Sequence, residues 1–91
     1  MSDSPWRVEL APAAQRQLRK LPPDATARVR GPILALARDP RAPASVALAG
    51  GPFRRLRVGD IRVVYEINDE ARTIVVLRVA RRSESTYRRV R

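Results

Sequence analysis

Three runs in the second half of the chain, 53–58, 61–67 and 73–79, alternate apolar with polar residues and are separated by Gly59-Asp60 and by Asn68-Asp69-Glu70. Side chains on an extended backbone point to opposite faces in turn, so runs of this length and period, broken by residues that tolerate tight turns, read as strands joined by hairpins. A meander of this kind constrains the rest of the chain, because its apolar face must be covered by another layer. That layer is visible upstream. Trp6, Val8 and Leu10 alternate with Arg7 and Glu9 as a further strand, after which Ala14, Leu18 and Leu21 fall at helical spacing. Pro12 suits the first turn of this helix and Pro22-Pro23 ends it. Asp24 is placed to cap a second helix whose stripe is Ala25, Val29, Ile33, Leu36 and Ala37, stopped by Asp39-Pro40. Pro32, after Gly31, removes the bond to the Arg28 carbonyl and predicts a kink or a break.

Residues 39–52, with three prolines and two glycines, read as an irregular connection inside one fold. The last dozen residues are polar and arginine-rich and read as a loop followed by a short helix, or as a frayed tail. The expectation is a single α+β domain over 1–91 in the order β-α-α-β-β-β, with two N-terminal helices packed on one face of a small, mainly antiparallel sheet.

Composition narrows the chemistry. The chain has no cysteine and no histidine, which excludes disulfides, thiolate nucleophiles, Ser-His-Asp and Cys-His catalysis and the usual zinc site, so no metal and no cofactor is expected. No apolar run approaches the roughly 18 residues of a membrane span, and residues 1–5 lack the apolar stretch of a signal peptide, so a cytoplasmic protein is expected. Lys plus Arg number 19 against 9 Asp plus Glu, a net charge of +10. Lys20 is the single lysine, and GC-rich coding, which the alanines and prolines also suggest, accounts equally well for that preference. The net charge itself points to a polyanion or an acidic protein as partner, and arginine forks match phosphate oxygens in pairs.

Parity sorts the sheet. Ile61, Val63, Tyr65 and Ile67 share one face of their strand, and Arg62, Val64 and Glu66 the other. Leu56 and Val58 form the apolar set of the preceding run, opposite Phe53, Arg55 and Arg57. In the last run Val75, Leu77 and Val79 oppose Ile74, Val76 and Arg78, and continuing that parity sends Ala80 and Arg82 outward. The face away from the helices is therefore expected to carry Arg55, Arg57, Arg62, Arg78 and Arg82. For Arg78 a solvated face with salt bridges to Glu66 and Glu84 is the favoured reading. For the other four, convergence of like charge points to an anion. Trp6 and Tyr65 point with the apolar sets as core. Phe53 is either a stacking platform on the basic side or a cap buried under the loop, and Tyr87 stands outside any apolar pattern, which favours a functional role.

The stretch Arg55-Leu56-Arg57-Val58-Gly59-Asp60-Ile61-Arg62-Val63-Val64-Tyr65-Glu66-Ile67 resembles the central signature of the RelE/ParE toxin superfamily. The opening strand before Ala11-Pro12-Ala13-Ala14 and Leu18-Arg19-Lys20-Leu21 is similar too, and the likeness runs through residues 6–88. The RelE-like branch comprises toxins of type II toxin–antitoxin pairs that cleave messenger RNA, typically in the ribosomal decoding site. The resemblance implies a metal-independent endoribonuclease with mRNA, the ribosome and a cognate antitoxin as partners, the last in a toxin–antitoxin hetero-oligomer. It implies catalytic roles for Arg57, Arg62, Arg82 and Tyr87 and RNA binding by Arg55 and Arg57, to which Phe53 and Arg81 are added as RNA-binding candidates. Glu84 is either a base or a surface ion-pair partner. Ala80-Arg81 replaces the glycine and histidine or lysine of many relatives, and Ala47 and Ala49 stand where lysines are common. The alternatives are a ParE-like inhibitor of DNA gyrase on the same fold, and a binding module that has lost catalysis.

Overall fold

The computed structural model describes residues 6–81. In chain order these form β1 (Arg7–Leu10), α1 (Pro12–Lys20), α2 (Pro23–Ala35), β2 (Ser45–Ala47), β3 (Phe53–Val58), β4 (Ile61–Asn68) and β5 (Thr73–Arg81). The five strands lie in the order β1-β5-β4-β3-β2. β1 runs parallel to β5, and every other neighbouring pair is antiparallel. This is the expected α+β arrangement, with one strand more: β2 lies in the stretch read as irregular, where Ser45, Val46 and Ala47 pair with Leu56, Arg55 and Arg54. Arg54 ties β2 down, its guanidinium donating to the Ser45 hydroxyl at 3.0 Å and the Ser45 carbonyl at 3.3 Å.

Both helices lie on the same face of the sheet. Ala14, Ala25, Val29, Ile33 and Leu36 meet Leu56, Ile61, Val63, Tyr65, Ile67, Ile74, Val76 and Val79 in one buried cluster. Each fully buried Val, Leu or Ile in it contributes about 1.5–3 kcal/mol relative to exposure, so this layer is the main support of the fold. The Tyr65 hydroxyl, buried within it, donates to the Pro40 carbonyl and fixes the connection after α2 to the core. The Thr26 hydroxyl lies between the Leu18 and Pro22 carbonyls and joins the two helices where they turn.

Three local expectations are corrected. Pro22, not Asp24, is the N-cap of α2; proline already holds the extended backbone that precedes a first helical turn, and Asp24 lies inside that turn near the positive end of the helix. The helix passes through Pro32 without a break, because the residues on either side of it, Val29, Ile33 and Leu36, are held in the core. Trp6 is half-buried at the rim of the core, not within it, with the Arg72 guanidinium 5.0 Å over its ring.

The fourth correction concerns β5. Its first buried residues are Ile74 and Val76, not Val75 and Leu77. Tyr65 pairs with Val76 and Val64 with Arg78, so Leu77 is an extra residue without a partner, a one-residue bulge. Beyond it the parity reverses and Val79 is buried, as the alternation of the last run expects. A bulge leaves no mark in the alternation of a run that is apolar from Ile74 to Leu77, which is why sequence parity fails there.

Candidate functional site

The face of the sheet away from the helices is built by the register. Phe53, Glu66 and Val75 form one cross-strand row, Arg55, Val64 and Arg78 the next, and Arg57, Arg62 and Ala80 the third. Val46 of β2 extends the middle row next to Arg55. Directly opposed side chains on neighbouring strands have Cβ atoms about 5 Å apart, and residues two apart along a strand are about 7 Å apart. Arg55, Arg57, Arg62 and Arg78 therefore gather within a patch of a few rows on three strands. Arg57 and Arg78 are exposed, and Arg55 and Arg62 are half-buried.

Among the described residues, the side chains of Arg55, Arg57 and Arg78 make no ion pair. The salt bridges expected between Arg78 and an acid on this face are not formed with Glu66, which lies one row away. Arg57 directly opposite Arg62 is a like-charge pair of the kind that destabilises a ladder, unless an anion lies between. The patch thus offers guanidinium donors to a multiply charged anion, with neutral Val64 and Ala80 between them.

Arg81 is not brought to this face. It shares the parity of Val79, on the side of the helices, and its Nε lies 3.4 Å from an Asp60 carboxylate oxygen in the β3–β4 turn. That turn is the two residues Gly59-Asp60, with Gly59 at φ 60°, a left-handed conformation suited to glycine. Phe53 lies at the end of the patch and packs over Gly51, whose absent Cβ would come within 3.6 Å of the ring. One side of the ring is thus covered by the loop. Arg82, Glu84 and Tyr87 lie outside the described residues. Arg78 is exposed on this face, where its parity with Ala80 places it.

A second surface lies on the helix side. Val8, Leu10, Leu18, Thr26, Ile33 and Leu34 line a groove of about 410 Å³ between β1 and the two helices, with Arg30 at its edge. Leu34 is 59% exposed there.

The outward sheet face thus carries arginines, and an apolar groove lies on the helix side. Comparison with known proteins gives the class. The family model described as the ParE toxin of the type II toxin–antitoxin system matches residues 8–86. Toxin RelG of Mycobacterium tuberculosis is 38% identical over 93 residues, spanning 93% of this chain and 99% of that protein. The toxin–antitoxin complex RelBE2 of the same organism has a chain with TM-score 0.77 and 34% identity, covering 86% of this chain and 99% of its own. The archaeal RelE–RelB complex of Pyrococcus horikoshii gives a TM-score of 0.76 at 25% identity, over 88% of this chain and 98% of the other. The isolated Escherichia coli RelE toxin shares the fold, with TM-score 0.78 at 16% identity, over 94% of this chain and 99% of that one. The chain belongs to the RelE/ParE superfamily of type II toxins.

Proposed function

We propose that this toxin is a metal-independent endoribonuclease that cleaves mRNA, in the ribosomal A site, through attack of an RNA 2′-hydroxyl on the adjacent phosphorus. The observation that carries the reading is the gathering of Arg55, Arg57, Arg62 and Arg78 on the sheet face away from the helices, three of them without an ion pair among the described residues. A 2′-oxygen–phosphorus bond forms and the phosphorus–5′-oxygen bond breaks, leaving a 2′,3′-cyclic phosphate and a 5′-hydroxyl. No outside water enters that step. Arg57 and Arg62 hold the non-bridging oxygens as charge builds on the phosphorane, where each fixed donor is worth about 3 to 4 kcal/mol of barrier. Arg55 clamps the neighbouring phosphate, Arg82 stands by the leaving oxygen, and Tyr87 stacks on a base or relays a proton. Guanidinium groups do not accept protons, so the base for the 2′-hydroxyl lies elsewhere, on Glu84 or on the ribosome that aligns the substrate.

Relatives crystallised as RelBE complexes support a cognate antitoxin as partner. An acidic segment that folds on binding fits either surface: apolar side chains in the groove beside Arg30, or carboxylates over the arginine face. Action in the cytoplasm follows from the proposed substrate.

The family model named for ParE favours a second reading, inhibition of DNA gyrase by the same fold. Induction in cells followed by primer extension on a reporter transcript separates the two. New 5′ ends inside translated codons are expected for the nuclease; intact mRNA with gyrase-linked DNA breaks refutes it, and absence of any growth effect refutes both in favour of a binding module without catalysis.

A further inference from the structure

Although α1 packs on the covered side of the sheet, one of its side chains reaches the backbone that sets the direction of β5. Pairing between β1 and β5 ends at Leu10 with Val76. Past that point β5 keeps β4 on one side and, among the described residues, has no strand on the other. There the Gln17 side-chain oxygen accepts the Val79 N–H at 2.7 Å. The bulge lies between, because Leu77 is skipped as the pairing passes from Val76 to Arg78. Without it, a period of two would carry Arg78 and Ala80 into the buried set with Ile74 and Val76, and would turn Val79 out to solvent. The bulge therefore decides whether β5 contributes a cation to the outward face.

We propose that Gln17 is a positioning residue of the arginine face: by holding the Val79 N–H it locks the bulge at Leu77 and so keeps Arg78 in the row with Arg55 and Val64. This rests on reading that face as an RNA-binding surface. Gln17 lies on the opposite side of the sheet and touches no substrate. An extended chain cannot supply this acceptor once β1 has turned into α1, and a bulged ladder leaves donors that need a partner. The glutamine replaces the missing strand neighbour with a single side chain. It also makes α1, and whatever binds beside it, part of what sets the cation geometry across the sheet.

The test pairs Gln17→Met, which keeps the length of the side chain and removes the acceptor, with Gln17→Glu, which keeps an oxygen in reach. Amide exchange at Val79 and the cross-strand contacts of Val63 with Val79 and Val64 with Arg78 are followed by NMR. Affinity for a short single-stranded oligouridylate is measured alongside. In Gln17→Met, Val79 exchange is expected to accelerate and affinity to fall, each by about three- to tenfold, the usual size of one lost hydrogen bond. Gln17→Glu is expected to restore both. Arg78→Ala should weaken binding in the wild-type background and add little in Gln17→Met, because the two act as one unit. Additive losses, or unchanged Val79 exchange with the register intact, would overturn the proposal. If Gln17→Met does not fold, Gln17→Ala, which admits water to the amide, carries the same measurements. A wild-type protein that binds no RNA refutes the RNA surface instead, while the register and exchange data still decide what Gln17 does.

Discussion

Raising salt is the most direct perturbation of the arginine face. Four guanidinium groups, Arg55, Arg57, Arg62 and Arg78, share it. Binding a single-stranded nucleic acid releases condensed counterions, and the logarithm of affinity falls with the logarithm of salt at about 0.7 per phosphate neutralised. Four contacts give a slope of about −3, which between 50 and 200 mM potassium chloride is a loss of roughly fiftyfold. Fluorescence anisotropy with a labelled oligouridylate reads this, and each of Arg55→Ala, Arg57→Ala and Arg78→Ala should flatten the slope by about 0.7. Arg30 is the control, since it borders the groove on the helix side; Arg30→Ala should leave the slope as it is. A wild-type slope shallower than about −1, or an Arg30→Ala effect equal to that of Arg57→Ala, would show that the attraction comes from overall charge, not from this face.

Other consequences follow from single contacts. Arg62→Ala and Arg82→Ala should each abolish toxicity on induction while leaving the circular dichroism spectrum and antitoxin binding intact; two fully toxic variants would remove the catalytic assignment. Tyr65→Phe deletes the buried hydroxyl that donates to Pro40 and leaves that carbonyl without its partner, which should cost about 1–3 kcal/mol in urea denaturation. Leu34→Asp puts a charge in the apolar groove and should weaken antitoxin binding at least tenfold by calorimetry without changing oligouridylate affinity; the reverse pattern would move the antitoxin to the arginine face.

Much of this architecture is legible in sequence because most of it is periodic. β3 and β4 obey a clean alternation, and the two-residue turn between them fixes their register, so the positions of Arg55, Arg57 and Arg62 follow from counting. Where periodicity is silent, reading fails. β2 is three residues long, and only its pairing with β3 and the Arg54 contacts to Ser45 make it a strand. The bulge at Leu77 falls in an all-apolar run, where a slip of one residue exchanges one aliphatic for another and leaves no trace until Arg78. Gln17 is a polar residue on a short helix with nothing in its neighbourhood to distinguish it from Gln15. Its importance is visible only when residues 62 apart in the chain meet. Arg81, expected to bind RNA, shares the parity of Val79 and so points to the side of the helices, since successive strand residues alternate faces.

A family model named for ParE and relatives named RelG and RelE attach to one fold, and a fold does not choose between activities. The choice rests on what the outward face is for. Arg57 directly across from Arg62, with Arg55 and Arg78 on the next row, places like charges side by side where alternation would accept any polar residue. The core lies on the other side of the sheet, and among the described residues Arg55, Arg57 and Arg78 make no ion pair. A protein with no anion to bind on this face would gain stability by losing such like-charge pairing. A protein that must surround a phosphodiester as its charge rises gains from keeping it, because the anion removes the repulsion at the moment it binds and the donors are already in place. The arrangement of the arginines, more than their number, is thus what the proposed nuclease rests on.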